Sequence, residues 1–184
     1  LQPCAAYAAS GAGAPLFAAT CHVDPLGAHE WPYDTWETAA TDIQSAVDVA
    51  TDGDTVLVTD GLYAVTAQIE IASGIEVRSV NGAAATTVGR VGPEAHRLFY
   101  LSSANACLDG FTLTRGSATG AGGADRYGGG VLMAGGARIL NCVVSNNEAG
   151  ARGGGISFVS ASDGLVQNCV IVQNRSEGDG GGIF

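Results

Sequence analysis

Lysine is absent from this chain of 184 residues, and all eight of its cationic side chains are arginine. Against 18 carboxylates they leave a formal net charge of −10. That balance argues against nucleic acid or an anionic lipid surface as the main partner, because both repel a polyanion. Proline occurs only five times and glycine follows no three-residue period, which excludes a collagen-like rod. No window approaches 18 uncharged apolar residues, so no segment reads as a membrane span. The five cysteines (4, 21, 107, 142 and 169) form no Cys-x-x-Cys pair and no Cys/His spacing of a zinc site. No glycine-rich stretch precedes a helical pattern, which excludes a phosphate-binding loop. What the chain has instead is 28 glycines within a composition that is 46% hydrophobic. That is about twice the ordinary glycine usage, in a chain too apolar to be a linker.

The amino-terminal part reads as a lead-in and connector over residues 1–34. Cys4 and Cys21 bracket an Ala/Gly-rich stretch and are candidates for a small disulfide-closed loop. Residues 22–34 carry two prolines and a glycine and read as irregular. The chain begins at Leu1 without methionine, which predicts a trimmed product. From residue 35 onward the pattern predicts one domain. Ile43, Ala46, Val47 and Ala50 fall on one helical face, giving a short helix over about 41–50. Thr41 and Gln44 have the spacing of a capping box, and Asp42 suits the positive end of the helix dipole. From about residue 54 everything reads as short strands separated by turns, an all-β pattern.

The carboxyl-terminal half repeats. Gly-Gly-Gly followed by an aliphatic residue recurs at 128–131, 153–156 and 180–183, in steps of 25 and 27 residues. Between these, 141–147 is echoed at 168–174, and 110–116 fits the same template. A unit this short cannot bury its own apolar face, but stacked units can. Stacking at about 4.8 Å predicts an inward ladder of Phe111, Cys142 and Cys169 and a second of Leu113, Val144 and Ile171. Asn141 and Asn168 are expected to stack at a corner, with Asn147 and Asn174 as a further amide ladder. In-register stacking keeps Cys142 and Cys169 too far apart for a disulfide, whose Cβ atoms want about 3.8 Å, so both are expected as buried thiols. The last repeat stops at Gly182-Ile183-Phe184, which predicts further coils or an open end available for self-association into a filament.

These motifs resemble the right-handed parallel β-helix of bacterial secreted and surface proteins. More narrowly, they resemble polymorphic outer-membrane-protein repeats, which pair Gly-Gly-Ala-aliphatic with aromatic-x-x-Asn. Here the first is Gly-Gly-Gly-Val/Ile and the second is Val144-x-x-Asn147 and Ile171-x-x-Asn174. The segment from Tyr33 to Tyr63 also resembles the start of such β-helices, where an amphipathic helix caps the first coil. The resemblance implies a right-handed parallel β-helix with a short capping α-helix. It also implies a secreted or outer-membrane-associated location and a role as adhesin, passenger or stalk, with a host or neighbouring-cell surface or a polysaccharide as partner.

Catalysis is the competing expectation, because the same fold hosts polysaccharide lyases and glycoside hydrolases. Resemblance to the lyases of this fold implies an Arg or Lys base, and with lysine absent arginine remains. Arg126 beside Asp125 and Tyr127 in the longest insertion is the leading candidate, with Arg115, Arg138, Arg152 and Arg175 as alternatives. A hydrolase needs clustered carboxylates, whereas Asp109, Asp163 and Asp179 stand singly beside turn glycines. Asp52 and Asp54 carry the oxygen ligands of a Ca²⁺ site, although a tight turn explains the same residues, and otherwise no cofactor is expected. Trp31, Tyr33 and Trp36 are candidates for a sugar-stacking patch, set against packing of the connector on the helix. His22, His29 and His96 stand isolated. Short glycine corners leave few loops for a cleft, so the reading favoured here is a non-catalytic module.

Overall fold

A computed structural model of the chain describes residues 18–133, 135–159 and 163–184. Strand β1 (Thr20–Val23) is followed by helix α1 (Ile43–Val47). The chain then makes about four parallel turns of a β-solenoid. Coil one holds β2 (Thr55–Val58), β3 (Gly61–Val65) and β4 (Ile69–Ile71), and coil two holds β5 (Glu76–Ser79), β6 (Thr86–Arg90) and β7 (Phe99–Leu101). Coil three holds β8 (Cys107–Asp109), β9 (Thr112–Thr114), β10 (Ser117–Ala118) and β11 (Val131–Met133). Coil four holds β12 (Arg138–Leu140), β13 (Val143–Ser145), β14 (Glu148–Ala149) and β15 (Ile156–Phe158). A further partial coil brings β16 (Leu165–Gln167), β17 (Val170–Val172) and β18 (Arg175–Ser176). Equivalent strands stack into four sheets: β1-β2-β5-β8-β12-β16, β3-β6-β9-β13-β17, β4-β7-β11-β15 and β10-β14-β18.

The predicted register of the second sheet is observed. Val144 pairs with Leu113 on one side and Ile171 on the other. Phe111, Leu113, Cys142 and Val144 are buried, and Cys169 and Ile171 pack partly buried against them. Burying each such side chain contributes roughly 1.5–3 kcal/mol, the larger value for fully enclosed ones. Cys142 and Cys169 are free thiols. The first glycine of each triplet is a tight corner. Gly153 has φ +58°, and a Cβ there would stand 2.2 Å from the Ile156 carbonyl oxygen. A side chain at Gly153 is therefore both strained and obstructed.

Two features of the amino-terminal part depart from expectation. Residues 20–23, expected within an irregular lead-in and connector, form β1, which lies parallel to β2 with Cys21 opposite Val56 and Val23 opposite Val58. Cys21 and Val23 alternate inward and are fully buried, a two-residue signal masked in the sequence by the neighbouring Pro25 and Gly27. The expected Cys4–Cys21 bridge depends on Cys4, which lies outside the described residues. Helix α1 spans five residues rather than ten, and its cap is Asp42, not the Thr41/Gln44 box. Asp42 Oδ1 accepts from the Ser45 backbone N–H at 2.9 Å and Oδ2 from the Ser45 hydroxyl at 2.7 Å. Gln44 is drawn away by a tertiary contact: its Oε1 accepts the Glu70 backbone N–H at 2.8 Å, fastening α1 to β4. With Ile43, Ala46 and Val47 buried, α1 packs against β1, β2 and β4.

Coil three, coil four and the partial coil after them turn two similar corners before and after the second sheet. In both, a residue in the left-handed region is followed by one that faces inward. The first corner stacks Gly110, Asn141 and Asn168 (φ +79°, +53° and +55°), followed inward by Phe111, Cys142 and Cys169. The second stacks Arg115, Asn146 and Gln173 (φ +64°, +54° and +57°). Asn147 and Asn174 follow them inward in coils four and five. Asparagine adopts this conformation at the lowest cost after glycine, because its short amide bonds locally.

Candidate functional site

The residues expected to act as a lyase-like centre are occupied in holding coils together. Arg126 ends the 3-10 turn Gly123–Arg126 inside the insertion. Its guanidinium donates to the Gly150 carbonyl and to Glu177 Oε2, the latter an ion pair at 3.1 Å. Tyr127 pairs with Arg152 through an isolated parallel bridge. The Arg152 guanidinium sits 5.4 Å from the Tyr127 ring centroid and 4.5 Å from that of Phe184. Asp125 lies near Arg97, which the sequence reading did not single out. Arg97 is buried beneath the insertion and donates to the Ala124 carbonyl. Burial lowers its pKa, and the negative charge of Asp125 acts in the opposite direction. Together these contacts pin the insertion to the coil.

The aromatic candidates are not brought together. Tyr33 is buried and its hydroxyl lies 3.4 Å from His29 Nε2. Trp36 packs edge-on against His22, with centroids 4.3 Å apart. Trp36 lines an open cleft of about 490 Å³ with Asp24, Leu26, Asp60, Val80 and Asn81, and neither Trp31 nor Tyr33 takes part in it. Asp52 and Asp54 direct their oxygens to backbone amides. Asp54 Oδ1 accepts from Ala19 at 2.7 Å and Oδ2 from Thr51 at 2.8 Å, while Asp52 Oδ1 accepts from Gly74 at 2.7 Å. Asp54 closes a turn with Thr51, while its contact with Ala19 and that of Asp52 with Gly74 reach across to neighbouring segments. Among the described residues, no three His, Cys, Asp or Glu side chains converge in a way that suits a metal ion.

The four asparagines divide sharply. At the second corner Asn147 is buried and fully bonded. Its Oδ1 accepts from the Gly116 N–H at 2.8 Å, and its Nδ2 donates to Leu113 O and to Asn174 Oδ1, both at 3.0 Å. Asn174 repeats the pattern, accepting the Asn147 N–H at 3.0 Å and donating to Val144 O at 2.8 Å. At the first corner the exposed Asn141 and Asn168 are linked at 3.4 Å, and Asn141 Nδ2 donates to Asp109 Oδ1 at 2.7 Å. Sulfur does the inward work there. Cys142 Sγ accepts the Phe111 N–H and Cys169 Sγ accepts the Cys142 N–H, each at 3.4 Å. A side-chain hydrogen bond between the two thiols lowers Cys169 to about 7, and the same thiol–thiol bond, with burial, raises Cys142.

Outside the second corner lies a feature that the sequence reading did not assemble. Arg90 and Arg115 occupy adjacent places in one column, followed by Asn146 and Gln173. Beside that column runs another, Ser117, Glu148 and Arg175. The two columns line an open groove of about 390 Å³. In sequence, Arg90, Arg115, Asn146 and Gln173 are separated by 25, 31 and 27 residues, so no fixed period aligns them. The strand register does.

Compared with known proteins, the chain matches no protein-family model, no curated protein and no solved structure.

Proposed function

We propose that this chain is a non-catalytic module of a secreted or cell-surface protein, a rigid β-solenoid of the adhesin, passenger or stalk type. Its repeat is read here as a variant of the polymorphic outer-membrane-protein pattern, with aliphatic-x-x-Asn in place of aromatic-x-x-Asn. The observation that carries the reading is the position of Arg126. The side chain best placed by sequence to be a lyase base is held by Gly150 and Glu177 across successive coils. A guanidinium bonded in this way is a clamp, and a base needs an open approach to its substrate proton. Among the described residues no helix is long and apolar enough to cross a membrane, which suits a displayed rod. Growth into an end-to-end filament is less favoured, because β1 and α1 already cover the amino-terminal face of coil one.

The test is a depolymerisation assay on polygalacturonate and alginate with added Ca²⁺, following the absorbance of unsaturated products. The expected outcome is no product from the wild type and a lower melting temperature for Arg126→Ala. Product formed by the wild type and lost in Arg126→Ala would overturn the proposal.

A further inference from the structure

We infer that the groove outside the second corner binds an extended anionic glycan, a polysaccharide chain carrying carboxylate or sulfate groups at intervals. This rests on the chain being a binding module rather than a depolymerase. The first observation is a local reversal of charge. Three of the eight arginines of a chain with net charge −10 line this one groove, opposed by a single carboxylate, Glu148.

The second observation is that these charges are not neutralised. Arg90 donates only to neutral carbonyls, those of Arg115, Gly92 and Glu94, at 2.9–3.1 Å. Among the described residues, the exposed Arg115 and Arg175 guanidiniums have no hydrogen-bond or ion-pair partner, and Arg126–Glu177 is the one ion pair. Arg115 lies against Gly89, where a Cβ would come 3.0 Å from its Nη2, so a small residue at 89 leaves room for the guanidinium.

The third observation is spacing. Arg115 and Arg175 belong to coils two steps apart, which is about 10 Å along the stack. No small anion reaches both, whereas a linear chain with repeated anions does. Between the arginines, Asn146 and Gln173 present amides. Glu148 Oε1, which accepts from Ser117 Oγ at 3.2 Å, is an acceptor for hydroxyls. Anion-binding forks interleaved with hydroxyl-matching groups describe a sugar acid or sulfated sugar. No aromatic side chain lines the groove, so single-stranded nucleic acid finds no stacking platform.

The experiment compares the wild type with Arg115→Asn/Arg175→Ser, which installs residues the same columns already carry at Asn146 and Ser117. Asparagine keeps the left-handed backbone at 115 undisturbed. Binding is measured at low ionic strength by titration calorimetry with polygalacturonate, heparin, neutral dextran and an oligothymidylate, and glycan length is followed by gel filtration. The expected result is binding to at least one anionic glycan and none to dextran. That binding weakens about tenfold or more in the double variant, as charge-assisted hydrogen bonds of this kind imply. It also weakens with added salt. Polygalacturonate against heparin separates carboxylate from sulfate as the preferred anion. The inference is overturned if neither anionic glycan binds, if the folded variant binds equally well, or if oligothymidylate binds more tightly than both. If the double variant fails to fold, Arg175→Ser alone carries the same comparison. A glycan bound and shortened upholds the groove but refutes the non-catalytic reading, and a glycan neither bound nor shortened does the reverse.

Discussion

The two corners of the carboxyl-terminal coils solve one problem with different chemistry. After each left-handed residue a backbone N–H turns inward, and the side chain one coil further on accepts it. At the first corner the acceptor is the sulfur of Cys142 or Cys169, at 3.4 Å. At the second it is the amide oxygen of Asn147 or Asn174, at 2.8 and 3.0 Å. Sulfur is a weak acceptor that also behaves as a small hydrophobe, so the first corner is mainly packed. An amide accepts and donates at once, so the second corner is mainly bonded, and Asn147 ties coils three, four and five together. Outside the inward asparagines, the Arg115 and Arg175 guanidiniums make no hydrogen bond among the described residues, whereas Arg90 donates to three backbone carbonyls.

The largest effect is expected where both corners fail together. Val144 lies on β13 between them and is fully buried. Val144→Asp buries an unpaired carboxylate, and a loss of at least about 4 kcal/mol is expected, enough to leave the domain unfolded or melted near ambient temperature in a calorimetric scan.

A smaller effect sharpens the sulfur corner. Cys169, its thiol lowered to about 7, is expected to be alkylated by iodoacetamide with a half-maximal rate near that pH, while Cys107, pushed up to about 11, and the buried Cys142 resist in the folded state. Peptide mass spectrometry across pH 6–9 reads this out. The fold favours the Cys169 thiolate, so its stabilising contribution is present above the ordinary value of 9.0 and is lost as pH falls through about 7. Cys169→Ser abolishes that pH dependence.

The smallest stability effect belongs to the outer face. Arg115→Asn is expected to shift the melting temperature by no more than about 2 °C, within the range of ordinary surface changes. A large loss would mean that the outer column holds the stack and is not spare for a ligand.

The stacked architecture was legible because inward alternation survives unequal coil lengths. Leu113, Val144 and Ile171 identify themselves by pattern although their separations differ. The asparagine columns were legible as columns, but their orientation was not. Asn147 and Asn141 look alike in sequence, and only the direction of the backbone at each corner decides which is enclosed. Strand β1 was hidden because four residues carry too little periodicity against neighbouring proline and glycine. The arginine groove was hidden for another reason: its members lie in two neighbouring columns set by strand register rather than by a fixed sequence period. Arg126, inside that insertion, drew the reading instead because it stands beside Asp125 and Tyr127 in sequence.

The central claim is that the amide corner, more than the sulfur corner, keeps the coils in register. Its most direct test is the thermal melting of Asn147→Ala beside Cys142→Ala under the same conditions. Removing Asn147 leaves the buried Gly116 N–H without its acceptor, at about 1–3 kcal/mol, and takes the amide donor from the Leu113 carbonyl and from Asn174. Removing the Cys142 sulfur deletes a weak acceptor and a small apolar volume. The account predicts that Asn147→Ala melts at least about 5 °C below Cys142→Ala. Equal melting temperatures, or a lower one for Cys142→Ala, would contradict it.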